Sequence, residues 1–398
     1  MTFETNAWLD AAQGDAQSTV ALRRAIHADP ELGLDCPATR DKLLASLDGL
    51  GLSIQRSAST SGFVARLDGA KPGRAVLLRG DMDALPIDET TGLDFASRKP
   101  GHMHACGHDA HSAMLAGAAR LLAAKRDEIA GTILFMFQPG EEGMHGARHM
   151  IKEGLLDDPR PEAAFAIHIW PNLPGGVLAC RPGPMLASTD TLRATIHGQG
   201  GHAAMPHDAK DPVPVAAELV LALQSEMARR TPVTTDPAVL SITSIRAGSA
   251  HNVLPDSVDL LGTLRTLSPT ARERGLAAFR RICTHVALAH DCEAEVRVDE
   301  GYPATINDPR VVAMIRDIAG PAYVEAPAPS MGGEDFAYVL QKIPGAMAFL
   351  GVAPPGGDPL QRAPLHNPGM LVDDAVLPRG VALHCAFAAR FLERGFAP

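Results

Sequence analysis

HSAMLAGAARLLAAKRDEI at 111–129, followed by TILFMFQ at 132–138, decides the fold. The first stretch reads as an apolar helix. The second is a short apolar run with strand character, and a glycine stands between them. Two more strand-like runs lie upstream, GFVARL at 62–67 and AVLLRGDMDALPI at 75–87, and AAFAIHI follows at 163–169. Strands that alternate with helices and are flanked by glycine argue for an α/β sheet covered on both faces. The opening is helical, with Trp8, Leu9, Val20, Leu22, Ile26 and then Leu43, Leu44 and Leu47 at near-helical spacing.

Beyond Pro182 the pattern changes. TLRATIHG (191–198) alternates like a half-exposed strand, and Pro212 to Arg230 reads as a helix with proline near its start. VLSITSIRAG (239–248) and SVDLLGTLRTL (257–267) read as strands, Pro269 to His290 as a helix, and CEAEVRV (292–298) as a last strand. This is an α+β insert, and α/β character returns after Tyr302. With 398 residues the chain exceeds one ordinary core, so two domains are expected, a discontinuous one at 1–181 and 296–398 and an insert at 182–295.

Composition excludes several classes of function. Hydrophobic residues make up 46% and charged residues 21%, which is globular and not disordered. The formal net charge is -10 with no basic run, so neither nucleic acid nor an anionic membrane surface is an expected partner. The start lacks a secretion signal, and no run of about 18 apolar residues suggests a membrane span. Cys36, Cys106, Cys180, Cys283, Cys292 and Cys385 show no framework spacing and read as the reduced thiols of a cytoplasmic protein.

The chemistry concentrates in HMHACGHDAH (102–111), with four histidines, a cysteine and an aspartate in ten residues. Thiolate and imidazole are preferred ligands of zinc-like ions, which singles out Cys106 and His108. In FQPGEEG, Glu141 and Glu142 follow a very apolar strand, where α/β sheets place their sites. Neighbouring side chains on a turn diverge, so one carboxylate can bind metal while the other faces substrate and takes a proton. His168 ends a buried-looking strand, as a core histidine or a ligand. Asp81 and Asp83 follow another strand, either orienting ligand histidines or capping the next turn. His366 sits in the loop PLHNPG.

In order along the chain, RRAIHADPEL, RGDMDALPI, HMHACGHDAH, FQPGEEG, IHIWPNLPGG, GQGGHAAMPH, AHNVLPD, GTLR, GGEDFA and LHNPG resemble the metal-dependent amidohydrolases that include hippurate hydrolase, indole-acetyl-amino-acid hydrolases and N-acyl-amino-acid deacetylases. Aminoacylases and carboxypeptidase G are their cousins. The resemblance implies a metal-binding α/β catalytic domain with a mixed sheet, interrupted by an α+β lid that also serves dimerisation. It implies that Cys106, His108, Glu142, His168 and His366 hold two divalent ions, of manganese, zinc, nickel or cobalt. Glu141 is then the general base and Asp83 the carboxylate that orients a ligand. His202 is the lid histidine that stabilises the oxyanion, and Asn252 and Arg265 help hold substrate. The cousins carry a histidine two residues before the motif aspartate, and here that position is Asp81, which is not expected to be a ligand. The expected reaction is hydrolysis of an N-acyl-L-amino acid by a homodimer that pairs through its lids, the unbroken strand-like segment Leu192 to Gly198 offering an exposed edge. The rival readings are a dipeptidase or carboxypeptidase on the same metal site, a cysteine hydrolase using Cys106, and a non-enzymatic binding protein on a hydrolase fold.

Overall fold

In the computed structural model, which describes residues 3–396, the deciding stretch forms the helix His108–Ala124 and the strand Ala130–Gln138. The helix is buried on nearly all sides, and its small residues explain how: Ala110, Ala113, Ala116, Gly117 and Ala118 let neighbours approach closely. A Cβ on Gly117 would come within 2.7 Å of Thr19 Oγ1 and 2.8 Å of Val381 Cγ2. The helix is therefore wedged between the helices Ala16–His27 and Leu377–Arg394. The latter belongs to a stretch, Asp374–Arg394, that is long and apolar enough by composition to cross a membrane, but 78% of its 18-residue apolar window is buried inside the fold. It is a core helix.

The chain divides into two units, residues 1–183, 306–327 and 335–398 in the first, and 184–305 with 328–334 in the second. Residues 1–2 and 397–398, which the sequence reading assigns to the first domain, lie outside the described residues. The sequence boundary at 296 is displaced. It cuts the strand Glu293–Glu300, which pairs along its whole length with Ser188–His197 and so stays with the second unit's sheet. The brief return at 328–334 carries no sequence signal of its own, and is joined to the second unit by the bridge Leu186–Ser330.

The first unit is built on an eight-stranded mixed sheet in the order Ser53–Arg56, Phe63–Asp68, Ala130–Gln138, Lys71–Asp81, Ala163–Pro174, Gly345–Ala353, Leu178–Cys180, Tyr323–Glu325. The four strands from Ala130–Gln138 to Gly345–Ala353 run parallel. Their continuous apolar sequences suit burial on both faces, and Phe135, Phe137, Phe165 and Leu350 are all in the core. Each such side chain contributes roughly 1.5–3 kcal/mol by leaving water. The register places the chemistry: Asp81 pairs with Gln138, so Asp83 and the Glu141–Glu142 pair leave neighbouring strands at the same level. Arg79 pairs with Ala166, so His168, two residues on, is level with Asp81.

The second unit holds a four-stranded antiparallel sheet in the order Ala238–Ala247, Ser257–Thr266, Ser188–His197, Glu293–Glu300. The helices Pro212–Arg230 and Pro269–Ala289 pack their apolar sides on it through Leu219, Leu223, Phe279 and Cys283. Both helices start as their sequences dictate, with Asp211 and Ser268 capping and proline in the first turn. One expectation fails here. Leu192 to Gly198 is not an exposed edge, because its strand is interior, with Ser257–Thr266 on one side and Glu293–Glu300 on the other. Alternation reports that one face is buried, and a central strand alternates just as an edge strand does.

Candidate metal centre

Beyond the parallel strand ends, Gly107 brings two of the sequence-identified donors together. It sits at φ 83 between Cys106 and His108, and a Cβ there would come within 2.4 Å of Ile169 Cγ1. Only glycine meets both demands, and the chain turns there into the helix whose first residue is His108.

His108 is fully buried. Its Nδ1 lies 3.4 Å from Asp83 Oδ1, and its Nε2 lies 3.6 Å from Asp81 Oδ2 and 4.0 Å from Glu142 Oε1. Cys106 Sγ lies 3.4 Å from His168 Nε2. The His168 Nδ1–H donates to the Ile169 carbonyl at 2.7 Å, which leaves the Nε2 lone pair aimed toward the thiol. Asp83 has two tasks: besides facing His108, its carboxylate accepts the backbone N–H groups of Glu141 and Glu142 at 3.0 Å each. It thereby fixes the turn that separates those two side chains. His366 reaches in from its own loop, with Nε2 3.4 Å from Glu142 Oε1. Its backbone is at φ 63, a region that costs a non-glycine residue about 1–3 kcal/mol, and its N–H is held by the Ala105 carbonyl at 2.8 Å.

Two donor groups result, Cys106–His108–His168 and Cys106–Glu142–His366, each with its ligand atoms within 4.8 Å of one another. Cys106 belongs to both. The donors fit divalent ions on an observation independent of their type: both ring nitrogens of His108 and Oε1 of Glu142 are buried and make no hydrogen bond. Such atoms are costly unless something binds them. A third group, Asp81–His108–His111, is equally close. Its other two members are already committed, however. Asp81 takes Arg79 Nη1 at 2.5 Å and His111 Nδ1 at 2.6 Å, and the second nitrogen of His111 accepts the Ile169 N–H at 2.8 Å.

The electrostatics of the chain alone follow burial and neighbours. Burial pushes the Cys106 thiol up, against the influence of His108. Burial also drives His168 well below the usual histidine range. Contact with Cys106 and Glu142 raises His366 to about 10. For Glu142, burial is outweighed by His366 and His108, and its carboxyl lies below the ordinary value. A divalent cation competes with protons for these same lone pairs.

Some residues that support the centre escaped the sequence reading. Arg79, buried in mid-strand, bonds Asp81, Gln138 and Asp335, and Asp335 also accepts the Ala147 N–H at 2.9 Å. The signal was a charged residue inside AVLLRGD, because a buried arginine requires acidic partners.

The other three sequence-identified residues belong to the second unit. His202 is exposed in a two-residue strand paired with Val253, and its Nδ1 accepts the Ala204 N–H at 3.1 Å. The Asn252 carbonyl accepts from Ala203. Arg265 is half-buried, and burial lowers its pKa while Asp190 opposes this.

Residues 77–390 match the model of peptidase family M20/M25/M40. The chain is 36% identical over 381 residues to thermostable carboxypeptidase 2 of Saccharolobus solfataricus, covering 94% of this chain and 95% of that protein. It is 36% identical over 377 residues to the N-acetyl-L-cysteine deacetylase of Bacillus subtilis, covering 94% and 88%. The crystal structure of the Bacillus subtilis YXEP protein, described as a dinuclear metal-binding peptidase of the M20 family, superposes with a TM-score of 0.83 at 32% identity, covering 96% of this chain and 99% of that one.

Proposed function

The chain belongs to peptidase family M20/M25/M40, and on that premise we propose that it hydrolyses the amide bond of N-acyl-L-amino acids, releasing a carboxylic acid and a free amino acid. It is a metal-dependent amidohydrolase; the acyl-amino-acid substrate is the finer reading. The observation that carries it is the pair of donor groups sharing Cys106 beside the Asp83-held Glu141–Glu142 turn.

In this reading Cys106, His108, Glu142, His168 and His366 hold two divalent ions, with manganese, zinc, nickel and cobalt all suited to the sulfur, nitrogen and oxygen donors. Bound there, such ions would supply Lewis acidity and make a water acidic enough to react near neutral pH. Glu141, buried and fixed through its backbone by Asp83, accepts the proton of the attacking water and returns it to the leaving amine. His202 donates to the oxyanion, and Asn252 and Arg265 bind the carboxylate of the amino acid, as the family resemblance implies. The experiment that tests the substrate class is a panel of acetyl-, benzoyl- and indole-acetyl-amino acids set against dipeptides and longer peptides, run on metal-reconstituted enzyme. Turnover of the acylated amino acids should dominate. Preference for free-amine dipeptides or longer peptides would replace this reading with that of a dipeptidase or carboxypeptidase, the activity borne in the name of the Saccharolobus relative.

We also propose a homodimer that pairs through the second unit, with the pairing strand reassigned. The sheet's edges are Glu293–Glu300 and Ala238–Ala247. The first is lined with charge, Glu293, Glu295, Arg297, Asp299 and Glu300, which resists pairing. The second carries Arg246 alone and leaves Val239 43% and Ile245 53% exposed. Sedimentation should show a dimer for the wild type and a monomer for Ile245→Lys. A wild-type monomer at micromolar concentration would refute the pairing.

A further inference from the structure

His27 ends the helix Ala16–His27 and is 1% exposed. Its Nδ1 lies 2.8 Å from Asp109 Oδ2 and its Nε2 lies 3.1 Å from Glu89 Oε1. A neutral imidazole has one N–H and one lone pair, so it can donate to one of these carboxylates but must turn its lone pair on the other. Only the imidazolium donates to both; Arg23 Nη2 also approaches Nδ1, at 3.5 Å, and opposes the charged form, but Asp109 Oδ2 stands closer at 2.8 Å. Charge balance agrees. Arg23 Nε lies 2.7 Å from the same Asp109 oxygen, so Arg23 and protonated His27 against Asp109 and Glu89 make a neutral set; Asp374, which Arg23 Nη1 also touches at 3.1 Å, is more exposed and is balanced by Arg24 at 2.8 Å. All four side chains of the neutral set are nearly sealed from water, at 3% exposure or less. With His27 neutral, the same set would hold an uncompensated negative charge, which is costly in such a place.

The groups facing the ring support this. Burial works against the charged form, but Asp109 and Glu89 outweigh it, with Arg23 opposing, and the pKa is raised to about 9. His104 approaches with its ring centroid 6.2 Å away, and Phe95 contacts the ring edge-on at 5.6 Å.

The two carboxylates lead to two different ligand-bearing segments of the metal centre. Asp109 follows His108 in the first turn of its helix. Glu89 belongs to a loop that it organises by accepting the Ser97 N–H at 2.7 Å. The next residue, Thr90, donates its N–H to the Pro368 carbonyl at 2.9 Å, two positions from His366. His366 in turn donates its backbone N–H to Ala105, the neighbour of Cys106.

We propose that His27 is a positioning residue of the metal centre, a buried imidazolium that locks the start of the His108 helix to the loop clasping the His366 segment. The proposal rests on the ligand set assigned above. It is tested by equilibrium dialysis of the metal-stripped chain against manganese(II) and, separately, zinc(II). The wild type should bind two ions. His27→Gln keeps the size of the side chain and removes its charge, and should raise the dissociation constant roughly 10-fold, the low end of the loss when a group bonded directly to a ligand is removed, because His27 reaches His108 only through Asp109. Leu219→Ala, a cavity in the second unit's core, controls for general loss of stability and should leave metal affinity at the wild-type value. Equal affinity of His27→Gln and wild type would overturn the proposal, as would an equal loss in the Leu219→Ala control. A wild type that binds neither ion would overturn the ligand set instead. NMR of the wild-type ring then decides the clamp by itself, and does so even if His27→Gln fails to fold. Both His27 nitrogens should carry protons at pH 7.5 and lose one only near pH 9. A neutral ring at pH 7.5 would refute the clamp.

Discussion

Glu141→Gln is expected to retain its metal and to lose roughly 10²- to 10⁴-fold in kcat, the scale of a removed general base. The substitution is close to isosteric. The Glu141 backbone N–H keeps its bond to Asp83 Oδ1, so the turn and its neighbour Glu142 should stay in place. What disappears is the only function proposed for the Glu141 side chain, acceptance and return of a proton. Glu142→Ala should behave in the opposite way. Its Oε1 faces His366 Nε2 at 3.4 Å and His108 Nε2 at 4.0 Å, so its removal deletes the anionic oxygen donor of the Cys106–Glu142–His366 group. That variant should lose metal stoichiometry, and its activity should fall as a consequence. Steady-state kinetics paired with metal analysis separates the two. If Glu141→Gln lost the metal and Glu142→Ala kept it with a depressed kcat, the roles would have to be exchanged.

What the sequence made legible follows the range of the interactions. Helix and strand identity is local, and the runs 132–138, 163–169, 212–230 and 257–267 became the elements expected of them. The candidate donors were also legible, because a cysteine and histidines crowd one short segment and the two glutamates follow an apolar strand. The sequence could not reveal pairings across the fold. Alternation in 191–198 fitted a central strand as well as an edge, and only the two ladders to Ser257–Thr266 and Glu293–Glu300 distinguish them. The domain boundary failed for the same reason, since the strand that spans residue 296 is held by a partner a hundred residues away. Asp83 could be read as orienting a ligand or capping a turn. In the structure it faces His108 and grips the Glu141–Glu142 backbone at once, a combination that needs three segments in one place. The partners of Arg79 and His27 could not be read for a related reason. They include carboxylates up to 256 positions away for Arg79 and 62 to 82 positions away for His27.

Exhaustive chelation is expected to abolish turnover and, separately, to lower the melting temperature, with both restored by added divalent ion. The loss of turnover follows from the donor set. The loss of stability follows from what the ions would leave behind, His108 Nε2 and Glu142 Oε1, both buried without a hydrogen bond, while His108 Nδ1 faces Asp83. Each unsatisfied buried polar atom costs on the order of 1–3 kcal/mol, so an ion that binds them stabilises the folded chain beyond its effect on catalysis. The two readouts also separate this centre from the rival in which Cys106 is a nucleophile. A nucleophilic thiol needs partial exposure and a lowered pKa. Cys106 is 7% exposed and burial raises its pKa. A cysteine hydrolase would survive chelation and be killed by alkylation of the metal-free chain. The metal centre requires the reverse order of sensitivity, with activity absent from the stripped chain before any alkylating agent is added. Full turnover by a sample verified to be free of metal would remove the metal centre from the reaction and return Cys106 to the role of nucleophile.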